Sequence, residues 1–558
     1  MFEVCIDNLL EHTRKISSWE RVTSTADELE AFKYIQKELE TLGLRTTLYS
    51  HDAFVSIPLG ASLSIDGERF VCQTHSMAVN AHELQAPLVL GGKAADLTKT
   101  VCAGNIVVIN GRAEREPIIK AANLGAVGVV CVSGEYIYES CISPIWGSPS
   151  HKNRHLLPKI PAVSINNVTY EAIKNCLQRF GGQALATLNT AVDSDWKKQP
   201  LLVADVRANA ETDKFVMFSG HVDSWYHGAM DNGSTNATMM EVCRIAQANR
   251  DKLVHNLRVV FFSGHSQGRY SGSAWYFDNF WEDIHYNCII SVNADSLGAI
   301  GANDLTRSTI MPEVKPFAQQ LIKELTGVDF VGRRYSRFAD QSFWGTGVSC
   351  AFASFSKQIL DGRQTVGKFA IPAGGSLDLG WWWHTPADTF DKIDPDNLAR
   401  DAKIFANFVM HYATNKVVDL DFRESLDEII GIIKDWQEKA ADNFDLSMVQ
   451  ARAQLVRDKL EDLYKYKPCT TDCECEIEKF NKILWKIGRI LVTINYTQGH
   501  NYQNDPAVAQ PPMPALADIN LLSAANEREC KEILLELVRS RNYIMHSLKE
   551  VLDTLNFK

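Results

Sequence analysis

The chain is 558 residues long, 45% hydrophobic and 22% charged, with a formal net charge of -11. That length exceeds what one hydrophobic core can organise and predicts about three or four domains. The acidic balance argues against nucleic acid as a partner, and no apolar run reaches the ~18–20 residues that a membrane span needs.

At the start, MFEVCIDNLLEHTRK sets acids among its apolar positions and does not read as a signal peptide. Thirteen cysteines without paired spacing then predict reduced thiols, and hence a cytoplasmic protein. Residues 1–50 read as helix then strand. The helix over Ser24–Leu42 opens on a Ser/Thr cap with acids in its first turn, ends at Gly43, and turns Leu29, Phe32, Ile35 and Leu39 to one face.

From about residue 60 to 190, short strands (Pro87–Leu90, Gly104–Asn110) alternate with a helix signal at Arg115–Leu124. This region reads as an α/β insertion that shapes the substrate entrance. The chemistry lies beyond it. Phe215–Phe218 is a buried-strand run ended by Ser219-Gly220; His221 and Asp223 follow at once, and Asp231 ends the Gly228-Ala229-Met230 turn. In open α/β sheets functional groups collect past the carboxyl ends of strands. Imidazole nitrogen and carboxylate oxygen there suit zinc.

Two further strands end the same way. Arg258–Phe262 runs into Ser263-Gly264-His265-Ser266, and Cys288–Val292 into Asn293-Ala294-Asp295. Trp381-Trp382-Trp383-His384 then places another imidazole in an aromatic loop. A single HxD would be an ordinary strand cap; four segments converging their ligand types predict a site. Ser234–Ala248 reads as the helix after the metal loop, with Glu241 near the site but in a structural role.

The segments GHVDSW, AMDN, NAD and HTPADTFDKID resemble the zinc aminopeptidase family that includes glutamate carboxypeptidase and the transferrin receptor. The resemblance implies a mixed-sheet α/β catalytic domain over 1–60 and 190–420, an inserted protease-associated domain over 61–189, and a C-terminal helical domain over 421–558 that builds a homodimer. It also implies one or two Zn2+ ions. His221 and Asp295 would hold one, Asp231 would bridge, His384 would hold the other, and Asp223 would orient the first histidine. Where the family carries Glu-Glu, the general base and then a ligand, this chain has His265-Ser266. His265 is therefore assigned either base or substitute ligand.

Arg333, Arg334 and Arg337 form a basic knot ahead of Asp340-Gln341-Ser342-Phe343, a stretch that resembles the family's pocket-shaping strand edge. The knot is either a solvated face or, through Arg337, a clamp for a substrate carboxylate. Three adjacent indoles cannot all bury on one side of a strand, which makes Trp382 and Trp383 candidates for a pocket wall. Cys469, Cys473 and Cys475 read as free thiols, because no second Cys or His pair lies at zinc-finger spacing. Helices are predicted at Leu426–Asn443, Ser447–Tyr466, Glu476–Tyr496 and Glu527–Leu555, with a Pro-rich connection at Asn504–Pro514.

The function that follows is metal-assisted hydrolysis of an amide bond in a small peptide or N-acyl compound, by a metallopeptidase-like enzyme with an atypical site. Two alternatives stand beside it: a catalytically inactive receptor-like or scaffold homologue, and a non-peptidase amidase or lyase with one metal.

Overall fold

The structure is a computed structural model, and it describes residues 1–335, 337, 339–359 and 376–556. Its centre is a mixed sheet, fourteen-stranded among the described residues. The strand Phe215–His221 runs parallel to Asn256–Phe262 on one side and to Cys288–Asn293 on the other, and Ser349–Ala351 extends the parallel set. All seven residues of Phe215–His221 are buried. Helices cover both faces of such a sheet, so its strands read as unbroken apolar runs.

Two strands longer than any expected from the sequence dominate one side. Arg45–Ile65 pairs antiparallel with Ala184–Val206 along nearly its whole length. The last residues of Ala184–Val206 join the parallel strands through Asn256–Phe262, and its first residues carry the insertion through Ala81–Lys93. The boundaries read at residues 60 and 190 thus fall inside continuous strands. Beyond them the insertion builds its own parallel set, Ile106–Asn110, Gly128–Val132 and Ala162–Ile165. Val107, Val129 and Cys131 fill one face of that set, and Ile106, Val108 and Val130 the other.

Helix boundaries follow local chemistry. The predicted first helix spans Ala26–Thr41, with the Thr25 hydroxyl accepting from the Glu28 N–H. Ahead of it lies a helix not read from the sequence, Ile6–Ile16, which packs against Thr235–Ala248. Glu241 on the latter sits away from the strand ends, accepting from Cys5 N–H at 2.6 Å and pairing with Arg244. Its role is structural. The C-terminal helices fall at Phe422–Ala440, Ser447–Tyr464, Glu474–Tyr496 and Glu527–Asn556. Arg489 reaches from the third of them to the carbonyls of His285, Gly347 and Cys288, tying the helical unit to the sheet. Among the described residues no helix is long and apolar enough to cross a membrane.

Candidate metal centre

His221 leaves the central strand at a point of very close packing. A Cβ on Gly220 would stand 2.8 Å from the Ala294 carbonyl, so only glycine lets the two strand ends approach. The His221 Nδ1 lies 2.8 Å from the Asp223 carbonyl oxygen. That contact places the ring hydrogen on Nδ1 and leaves the Nε2 lone pair facing outward. Asp223 therefore orients His221 through its backbone; its carboxylate, 3.8 Å from the ring, serves another loop. It accepts from the N–H groups of His265 (3.1 Å) and Ser266 (2.8 Å) and from the Thr23 hydroxyl.

Asp231 arrives through a turn at Gly228, whose φ is +47° and where a Cβ would meet the Asp231 carbonyl at 2.1 Å. The Asp388 carboxylate braces this turn by accepting from Met230 and Asp231 N–H at 2.9 and 3.0 Å. Burial pushes the Asp388 carboxyl up to about 7 in spite of those bonds. From the other side Arg21, fully buried, donates to the carbonyls of Val222, His227 and Gly228.

The four histidine and aspartate side chains then meet. His221 Nε2 is 3.1 Å from Asp231 Oδ1 and 3.7 Å from Asp295 Oδ1, while His384 Nε2 is 3.2 Å from Asp231 Oδ2. The His384 Nδ1 is fixed by the Glu139 carbonyl at 2.8 Å, so this ring also turns Nε2 inward. One carboxylate thus faces a separate imidazole with each oxygen. His265 joins from the next strand end, and one ligand atom each from His221, His265 and Asp295 lie within 4.8 Å of one another.

The charges in this cluster are held against burial by one another. Burial disfavours an imidazolium at His221, yet the Asp231 and Asp295 carboxylates hold its pKa well above the usual range. Burial likewise opposes the Asp231 carboxylate, but the His221 and His384 imidazoles against its two oxygens keep its pKa well below the usual range. Burial prevails at His384, whose pKa is lowered. His221 Nε2, Asp231 Oδ1 and His384 Nε2 are buried with no aligned hydrogen-bond partner. Buried polar atoms seldom lack one, and two nitrogen and several carboxylate donors are a zinc-type set. The residues fit the ion.

These groups form the floor of a cavity of about 620 Å³. Its walls include Trp225, Tyr270 and Trp383, together with Arg115, Arg269, Arg337 and Lys357. Trp383 lines the cavity and stacks on His384, with ring centroids 3.3 Å apart. Trp382 does not reach the wall: residues 381–384 form a turn, which sends its indole into the core and leaves Trp381 against Tyr136. Arg337 touches the cavity, but its guanidinium is bound to the Asp505 carboxylate and the Tyr496 carbonyl and lies over Trp344. It is not free to clamp a substrate. Arg269 is 9% exposed, donates only to the Tyr270 hydroxyl and the Ala507 carbonyl, and has no carboxylate partner among the described residues. Arg269, Tyr270 and His384 all adopt positive φ, the kind of backbone strain that gathers at functional sites.

Some of this was beyond the reach of sequence reasoning. Asp388 lies inside the HTPAD segment already singled out, and its spacing to His384 was the available signal. Asp340, read only as a pocket edge, binds His265. Glu139 and Arg21 act across long stretches of chain and carried no local signal.

Residues 202–409 match Peptidase family M28. The curated protein "Probable glutamate carboxypeptidase VP8" of Zea mays is 21% identical over 393 residues, covering 57% of this chain and 54% of that one. The chain therefore spans about half the length of the curated relative it matches. Among solved structures, the aminopeptidase from Aneurinibacillus sp. strain AM-1 aligns with a TM-score of 0.56 at 22% identity, over 74% of this chain and 94% of its own. BSAP, a zinc aminopeptidase from Bacillus subtilis, aligns with a TM-score of 0.54 at 19% identity, over 74% and 96%. At these identities the solved structures establish the likeness in fold.

Proposed function

From the match of residues 202–409 to Peptidase family M28 and the likeness in fold to a zinc aminopeptidase, we propose that this chain is a zinc-dependent hydrolase of amide bonds with an atypical active site. The observation that carries this reading is the pair of inward-turned Nε2 atoms of His221 and His384, facing opposite oxygens of Asp231 at the cavity floor. His221, Asp231 and Asp295 would hold one zinc. A second would have Asp231 and His384 but only Ser266 where the family places a carboxylate, so one strongly held ion per chain is expected. Bound zinc would polarise the scissile carbonyl and lower the pKa of a water to about 7.

The remaining tasks fall to this chain's own residues. Trp225, Trp383 and Tyr270 wall the cavity and would receive an apolar portion of the substrate while excluding bulk water. Arg269 is the cation that a substrate carboxylate would meet, in place of Arg337. The substrate class is a small peptide or an N-acyl amide. Retention of every metal-type residue except the Glu-Glu pair weighs against the inactive-scaffold reading, whereas the one-metal amidase reading shares this geometry.

The insertion would serve as a protease-associated unit, because its Glu139 carbonyl fixes His384 from outside the catalytic sheet. The C-terminal helices would support a homodimer, and thirteen free thiols suit a reducing cytoplasm. Metal analysis of purified protein, followed by a screen of aminoacyl and N-acyl amides, tests the proposal. A metal-replete preparation without a stoichiometric divalent ion would overturn it.

A further inference from the structure

We propose that His265 is the general base of this hydrolysis, standing beside the metal rather than on it, and that Asp340 is the positioning residue that makes it one. The inference rests on the hydrolase reading above and decides a question that the sequence left open.

The first observation is the way the rings lie. His221 and His265 are stacked, with centroids 3.8 Å apart and planes 15° from parallel. An imidazole lone pair lies in the plane of its ring. Two lone pairs in near-parallel planes run alongside each other and do not converge on one point. Donors that share a tetrahedral zinc with bonds of about 2.1 Å must point at it together and sit about 3.4 Å apart. An ion in the plane of His221 therefore lies outside the plane of His265. His265 is close enough to serve that ion's surroundings, and wrongly aimed to bind it.

The second observation concerns which nitrogen is available. His265 Nδ1 is 2.9 Å from Asp340 Oδ2. A carboxylate only accepts, so the ring hydrogen sits on Nδ1, and Nε2 keeps the lone pair. Asp340 is itself buried and anchored: its other oxygen accepts from the Ser273 hydroxyl at 2.8 Å, and Ser273 contacts Ser342 at 2.9 Å. Ser342 in turn accepts from the Trp146 indole N–H at 2.8 Å. The main chain of His265 is held separately by Asp223, and Tyr270 meets the ring edge-on at 4.9 Å. A ring fixed on three sides with one open nitrogen is the arrangement that a base requires.

In the step this assigns, a water oxygen forms its bond to the amide carbon while its proton passes to His265 Nε2. The carbonyl π pair moves onto the carbonyl oxygen. The oxygen's pair then re-forms the carbonyl bond as the C–N bond breaks with its pair going to nitrogen, and the same proton goes from Nε2 to that departing nitrogen. Amide and water become acid and amine, and His265 returns to its starting tautomer with Nδ1–H still on Asp340.

The test uses the full-length, zinc-loaded chain and an amide found active in the screen. Zinc per chain, kcat, KM and recovery by added imidazole would be measured for His265→Ala, His221→Ala and Asp340→Asn. His265→Ala should keep the wild-type zinc content and a KM within about twofold, lose about 10²–10⁴-fold in kcat, and regain part of it with imidazole. His221→Ala should lose zinc, and imidazole should restore nothing. Asp340→Asn should keep zinc and KM and lose about 10–100-fold in kcat, since its amide can present N–H to Nδ1 and reverse the tautomer. Should Asp340→Asn fail to fold, Ser273→Ala, which frees the carboxylate from its anchor, should show the same kcat loss at constant KM. Loss of zinc in His265→Ala would make His265 a ligand and overturn the assignment while leaving the hydrolase reading intact. Unchanged kcat in either variant would also overturn it. A zinc-loaded wild type that turns over no amide defeats the hydrolase reading itself.

Discussion

The carboxylate of Asp231 faces the Nε2 of His384 at 3.2 Å with one oxygen, while its other oxygen lies against His221. The two imidazoles are set by backbone carbonyls from different parts of the chain, Asp223 for His221 and Glu139 for His384. Removal of either histidine should therefore act on metal before it acts on fold. His221→Ala should bring zinc content below half of the wild-type value, whereas His384→Ala should retain an ion held by His221, Asp231 and Asp295. Plasma mass spectrometry of dialysed protein reads both, and circular dichroism should show the helical unit intact. Equal zinc loss in both variants would mean that one ion needs all four residues.

Zinc loading should release protons. The metal-free cluster favours an imidazolium at His221 between two carboxylates, and a ligand must be deprotonated to bind. Titration of zinc into metal-free protein near pH 7 in weak buffer should acidify the solution. His221→Ala should remove most of that release. Unchanged release would place the proton elsewhere.

Arg269 and Arg337 line the same cavity but should respond differently to truncation. Arg337 is closed into a buried pair, so Arg337→Met leaves the buried Asp505 carboxylate without its cation and should cost about 3–5 kcal/mol of stability. Arg269 has no carboxylate to abandon. Arg269→Met should leave the melting temperature near wild type and raise KM about tenfold for a substrate bearing a carboxylate, with neutral analogues unaffected. Denaturant melts and paired substrates separate the two. A stability loss at Arg269 with no KM effect would sink the substrate role.

Acid should weaken the fold through two buried histidines, His75 in the insertion and His51 on the strand Arg45–Ile65 beside Trp275. Burial lowers His75 to about 3, helped by the Arg112 charge, and lowers His51 to about 4. Both folded-state values lie below the unfolded value of about 6.5, so the unfolded chain binds more protons between them. Stability from this source is complete above about pH 6.5 and is lost progressively as pH falls towards 4 and then 3. At pH 5 the cost is about 1–2 kcal/mol for each histidine. His75→Gln should flatten the pH dependence of the melting temperature between pH 7 and 5. An equally steep curve would contradict it.

Assembly is testable on the last helix. Leu535 (54% exposed) and Val538 (37% exposed) lie on Glu527–Asn556, with Leu521 exposed in the connection before it. Light scattering should report twice the chain mass of 62.5 kDa. Leu535→Glu with Val538→Glu should return the single-chain mass without loss of helicity. A wild-type monomer at micromolar concentration would leave these helices as a cap on one subunit.

The sequence determined the donors and the order of the elements. Strand ends at His221, His265 and Asp295 announce themselves because parallel strands buried on both faces are continuous apolar runs, and whatever polar residue ends such a run is conspicuous. The long amphipathic helices after residue 421 were legible for the same reason, through periodicity, within a few residues at each end. What only the tertiary structure decided is how those donors are aimed and which neighbours are already occupied. Arg337 read as a free cation because Asp505, 168 positions away, cannot be paired with it by any local pattern. Trp382 read as a pocket wall because a turn and a strand direct successive side chains differently, and three tryptophans in a row do not say which is present. Asp340 stood in plain view as part of a pocket edge. Its bond to His265, and the parallel stack that turns His265 away from the ion of His221, come from segments packed side by side across the sheet. Orientation is a property of that packing, and residue identity carries no record of it.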